Sequence, residues 1–100
     1  MNQKQREAVY DKALKQWGDG HLMNMFQEES AELSILISKK LRGDFISNIK
    51  MADGIADCYN VLDALVYLLD VEKQVDEIKV EKLEAVLKKA IDSEIRQDVR

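Results

Sequence analysis

Apolar residues recur along this chain at three- and four-residue intervals, the period of α-helices, and no stretch shows the strict alternation of a strand. A first helix is predicted over Gln5 to Trp17, with Val9, Ala13, Leu14 and Trp17 on its inner face. Gly18-Asp19-Gly20 breaks it, because glycine readily takes the left-handed conformation that ends helices. A second helix is predicted from about Leu22 to Leu41, carrying Leu22, Met23, Met25, Phe26, Leu33, Ile35, Leu36 and Ile37. Arg42-Gly43-Asp44 forms the next break, and a short connection follows through Phe45 and Asn48. A third helix runs from about Ile49 to Asp70 and is apolar nearly all round, which predicts that it is covered on every side. Beyond it, Val71, Val75, Ile78, Leu83, Val86, Leu87, Ala90, Ile91 and Ile95 mark one long helix, or two short ones in line, with a charged outer face. The expected architecture is therefore all-α, a four-helix-bundle-like single domain over residues 1–100. Four helices of this size do not easily cover so apolar a third helix. The surplus predicts a homo-oligomer, most simply a two-fold dimer with an isologous interface.

Two of these helices carry acids where the pattern expects apolar residues. Glu29 and Glu32 are three apart and project from one face of the second helix, with Glu28 beside them. Asp53 and Asp57 are four apart on one face of the third. Carboxylates held close beside apolar surface raise each other's pKa, and a divalent cation removes that cost. Mg²⁺ prefers oxygen ligands and takes a few carboxylates together with substrate phosphates, and facing helices are a recurring way to present them. Spacing leaves a second reading open: an acid cluster paired with Lys or Arg, or acids on a wet face.

Composition narrows the function classes. The net charge of −4 argues against nucleic acid, whose phosphates demand a basic footprint. Lys39, Lys40 and Arg42 are read as helix-end charges facing the negative pole of the macrodipole, with attraction of an anionic substrate as a secondary role. No apolar stretch is long enough to span a bilayer, and the polar run Met1 to Arg6 does not have the form of a signal sequence. Cys58 is alone, which excludes an internal disulfide and a cysteine-based zinc site, and it is read as a small core residue. A cytoplasmic location follows as the expectation.

At these residues the chain resembles the MazG-like, all-α nucleoside triphosphate pyrophosphohydrolases, of the type found in bacteria and phages. Their signature is Glu-x-x-Glu on one helix and Glu-x-x-Asp on the next. Glu29-Ser30-Ala31-Glu32 fits the first half, preceded by Glu28 and by the approach from Trp17-Gly18. Ile55-Ala56-Asp57-Cys58 fits the second, and Lys82-Leu83-Glu84 resembles the C-terminal helix. One position departs. The first acid of Glu-x-x-Asp falls at Gly54, and Asp53, one methylene shorter, stands next to it as the substitute. The resemblance implies Mg²⁺-dependent hydrolysis of a nucleoside triphosphate between the α- and β-phosphates, giving a monophosphate and pyrophosphate. It implies Glu29, Glu32 and Asp57 as metal ligands, Asp53 as a fourth, and Glu28 as a further ligand or the group that orients the attacking water. Lys82 stands as a candidate phosphate contact and Trp17 as a candidate border of the base, each weighed against a plain surface or packing role. His21 is read as structural or exposed. The competing reading is a degenerate relative that keeps the bundle and binds a nucleotide or a protein, and Gly54 is the residue that separates the two.

Overall fold

In the computed structural model, which describes residues 1–99, four helices make up nearly the whole chain, and no strand occurs among the described residues. They are α1 (Gln3–Trp17), α2 (Asp19–Leu41), α3 (Asn48–Leu69) and α4 (Glu72–Val99). The all-α class expected from the sequence is observed. The chain divides into two compact units, Met1–Asp70 and the segment from Val71 onward.

Local chemistry sets the boundaries of the helices. Asn2 caps α1 through a capping box: its side chain accepts from the Gln5 backbone N–H at 2.8 Å, and the Gln5 side chain accepts from the Asn2 N–H at 2.8 Å. This starts the helix two residues before the predicted Gln5. A single residue, Gly18, separates α1 from α2. Its φ of 82° lies where side chains are strained, and its N–H closes α1 on the Leu14 carbonyl. Asp19 and Gly20, read from sequence as part of the break, belong to α2. Ser47 caps α3 by accepting from the Lys50 N–H at 3.1 Å. Asp70 ends it at φ 53°, the left-handed conformation that Asp and Asn, with their short polar side chains, tolerate better than most. The final segment is one continuous helix rather than two in line.

Within the first unit, α2 and α3 run antiparallel. Glu29 lies near Asp57, Gly54 lies near Leu33 and Leu36, and Leu22 joins Val61 and Ala64 in the core. Tyr10 and Leu14 of α1 pack onto that same cluster, with Met25, Phe26, Leu65 and Leu68 around it. Tyr67 fastens α1 to α3: its hydroxyl donates to Asp11 at 2.7 Å, and its ring lies 5.6 Å from that of Tyr10. Val9 and Trp17, predicted for the inner face of α1, are exposed, while Tyr10, Ala13 and Leu14 turn inward.

The third helix is not covered on every side. Cys58, Val61 and Ala64 are buried, but Ile55, Tyr59, Leu62 and Leu69 remain exposed, because its two partners in this unit occupy only part of its circumference. Met23, Ile35 and Ile37 of α2 are exposed as well.

Candidate functional site

The acids of α2 and α3 meet where the two helices run side by side. Glu29 is half-buried on α2, and its carboxyl titrates above the ordinary value for Glu. Burial is the largest cause, followed by the negative charges of Glu32 and then Asp57, and by hydrogen bonding to both. Glu32 is exposed and lies one turn further along α2, while Asp57 is half-buried on α3. Of the five acids expected at the site, Glu29 therefore stands within reach of two, Glu32 and Asp57.

Cys58 follows Asp57 and is buried behind these carboxylates. Its thiol is pushed up by burial first, then by Glu29 and Asp57, so it stays protonated at neutral pH. It is a small apolar residue, as expected, but one that also borders the acid cluster. Only the facing helix reveals that second property.

Glu28 and Asp53 are exposed, and neither is among the groups that perturb Glu29. Among the described residues, no three His, Cys, Asp or Glu side chains are drawn around one point as a metal would require. The carboxylate of Glu29 feels the charges of Glu32 and Asp57, but the three do not form a ligand set in this structure.

Gly54 sits one turn before Asp57 on α3, against α2. A Cβ built there would lie 3.2 Å from Leu36 Cδ1 and 3.4 Å from Leu33 Cδ1. Its direction is into the leucine seam between the helices. Lack of a side chain leaves room for the Leu33 and Leu36 methyls, which gives this helical glycine a packing reason.

Within the first unit, the remaining candidates do not group with the acids. Trp17 is exposed, with its ring 5.5 Å from that of His21. Both border a small apolar cavity of about 30 Å³ with Tyr10, Leu14, Leu22 and Ala64, and none of the five acids lines it. That volume holds about one water and no nucleobase. Lys39 and Lys40 lie in the last turn of α2; Lys40 Nζ donates to the Ile46 carbonyl at 3.3 Å, and Arg42 pairs with Asp44 at 3.0 Å. Both contacts reach the α2–α3 connection rather than the last carbonyls of α2. Lys82 is exposed on α4, in the second unit.

Among the described residues, no helix is long and apolar enough to cross a membrane. No family model, curated protein or solved structure matches the chain.

Proposed function

We propose that this protein is a small, Mg²⁺-dependent nucleoside triphosphate pyrophosphohydrolase of the MazG-like type, with Glu29, Glu32 and Asp57 as the residues that hold the cation. The observation that carries this reading is the grouping of Glu29 with Glu32 on the next turn of α2 and with Asp57 on the facing α3, whose charges, after burial, raise the Glu29 carboxyl. Three carboxylates beside a buried seam are unfavourable together without a counter-charge. They match the oxygen-donor preference of Mg²⁺.

When bound, the cation supplies charge neutralisation on the triphosphate and a template for in-line attack by water on the phosphoryl group. The protein's own residues do the rest. Glu29 and Asp57, both half-buried, fix the inner side of the site, and Glu32 closes it from the exposed side of α2. Glu28 is the proposed acceptor of a proton from the attacking water, and Asp53 the proposed outer ligand. Both are free to move because they are exposed. The reaction adds water between the α- and β-phosphates and releases a monophosphate and pyrophosphate. The proposed working form is a homo-oligomer in the cytoplasm, with the exposed Ile55, Leu62 and Leu69 of α3 at an interface.

A second reading, a catalytically degenerate relative that binds a nucleotide or a protein, is favoured by Gly54. The motif acid is missing there, and the position is occupied by close packing against Leu33 and Leu36. Pyrophosphate release measured across a panel of NTPs and dNTPs, with and without Mg²⁺, separates the two. The enzyme reading requires Mg²⁺-dependent release from at least one nucleotide and its loss in Glu32→Gln. Nucleotide binding without release supports the degenerate relative. No release and no Mg²⁺ binding overturns the enzyme reading.

A further inference from the structure

Between α1 and α3 of the first unit lies a cleft of about 390 Å³, lined by Met1, by Arg6, Val9 and Tyr10 of α1, and by Asn60 and Asp63 of α3. Its volume is that of a small-molecule site. Two opposite charges stand in its walls without neutralising each other. Among the described residues the one ion pair joins Arg42 to Asp44, so Arg6 and Asp63 both line the cleft unpaired. The Tyr10 hydroxyl feels both: burial raises its titration first, Asp63 adds to the rise, and Arg6 opposes it. Tyr10 is braced by the Tyr67 ring at 5.6 Å, and Tyr67 is held in turn by Asp11.

The third helix ties this cleft to the acids. Asp57, Asn60 and Asp63 follow one another at steps of three, so each side chain neighbours the one before it. At 1.5 Å per residue, Asn60 stands about 4.5 Å along the axis from Asp57, and Asp63 about 9 Å. With the phosphates of a nucleotide at the acids, the sugar falls beside Asn60 and the base enters the cleft. The walls then select among bases. A carboxylate accepts two N–H groups side by side, and a guanidinium donates to a keto oxygen. Guanine carries two adjacent N–H donors, at N1 and the 2-amino group, next to its O6 acceptor. Cytosine and adenine place one amino donor beside an acceptor, and uracil sets one ring N–H between two keto oxygens. Guanine is the base that occupies both oxygens of Asp63 and still offers a keto oxygen to Arg6.

We propose that the α1–α3 cleft is a guanine subsite, with Asp63 accepting from N1–H and the 2-amino group, Arg6 donating to O6, and Tyr10 as its aromatic wall. The inference rests on the nucleotide reading of the acid site and names the base which that site receives. Base binding needs neither the metal nor hydrolysis, so the two readings fail separately.

NMR titration of the full chain with GMP and with IMP, both without Mg²⁺, tests it, because IMP lacks only the 2-amino group. GMP should bind about tenfold more tightly than IMP. Asp63→Ala should abolish that preference, whereas Arg6→Ala should weaken both nucleotides alike. Both residues are exposed, so circular dichroism should show folded variants. Equal affinity for GMP and IMP overturns the proposal, as does a preference that survives Asp63→Ala. Tighter binding of AMP, CMP or UMP than of GMP overturns it too, and so does a GMP titration to millimolar concentration that shifts no resonance. GMP binding with the expected preference, but no pyrophosphate release from GTP, keeps the subsite and overturns only the hydrolase reading. Release at equal kcat/KM from all NTPs, with GMP and IMP bound alike, keeps the hydrolase and overturns only the subsite.

Discussion

Replacing Gly54 by alanine sets two effects against each other at one atom. Helix propensity favours alanine by about 1 kcal/mol at an interior position. Against this, the new methyl would stand 3.2 Å from Leu36 Cδ1 and 3.4 Å from Leu33 Cδ1. Carbon atoms prefer about 3.5 to 4.0 Å, so the nearer leucine must give by about 0.3 Å. Both contacts are terminal methyls of half-buried side chains, which swing by a small χ rotation. Such a rotation costs less than the roughly 0.5–1.5 kcal/mol of a 30° departure from a rotamer. The net gain is about 0.5 kcal/mol, a rise in Tm of roughly 2–4 °C for a domain of this size. Thermal unfolding followed by circular dichroism gives the answer directly. A fall in Tm of more than about 4 °C would refute the reasoning, because it would mean that overpacking, at about 1–3 kcal/mol, dominates and that the leucines are locked. Gly54→Glu adds a longer chain along the same direction and should lower Tm where Gly54→Ala raises it.

Further outcomes follow from other contacts. Glu29→Gln should raise Tm at neutral pH without divalent cation. Because the folded-state pKa of Glu29 is raised, the native protein binds more protons than the unfolded chain, and wild-type stability falls as pH rises from the ordinary value of 4.5 through the raised one. The gap between variant and wild type should therefore widen across that window and close below it in a Tm–pH series; a gap independent of pH would count against the cluster. On the proposed function, adding Mg²⁺ should raise the wild-type Tm more than that of Glu29→Gln, as differential scanning fluorimetry would show. Val61→Ala removes two methyls from the most enclosed part of the core and should cost about 2 kcal/mol, or roughly 8–16 °C in Tm. Tyr67→Phe loses the hydrogen bond to Asp11 and should lower Tm by less than Val61→Ala does, with faster hydrogen exchange confined to α1.

Periodicity made the helices legible, and their errors lie at the ends. Gly20 carries the residue type of a breaker, but only Gly18 has the positive φ that a break requires, so α2 begins three residues early. The capping box of Asn2 and Gln5 is written in the sequence, in an amide version of the more familiar hydroxyl–carboxylate form. Spacing within each helix made the acidic pairs legible, and of the five acids expected together the structure sets Glu32 and Asp57 beside Glu29. The role of Gly54 did not, because its reason lies in Leu33 and Leu36 across the interface. The apolar character of α3 was read as burial. Apolarity shows that a face favours cover, whereas the cover itself depends on how many neighbours the chain provides.

The antiparallel pairing of α2 with α3 also bears on how the chain reaches its fold. Its two helices are joined by only six residues, Arg42 to Ser47, so closing that loop costs little entropy. Contacts between helices adjacent in sequence give a low contact order, the condition under which helical domains fold in microseconds to milliseconds. Glu29 and Asp57 face each other inside this hairpin, so a transition state built on the α2–α3 pairing already meets their repulsion. Glu29→Gln should speed folding more than it slows unfolding, and a cation present during synthesis would act on the rate of folding as well as on the stability of the product.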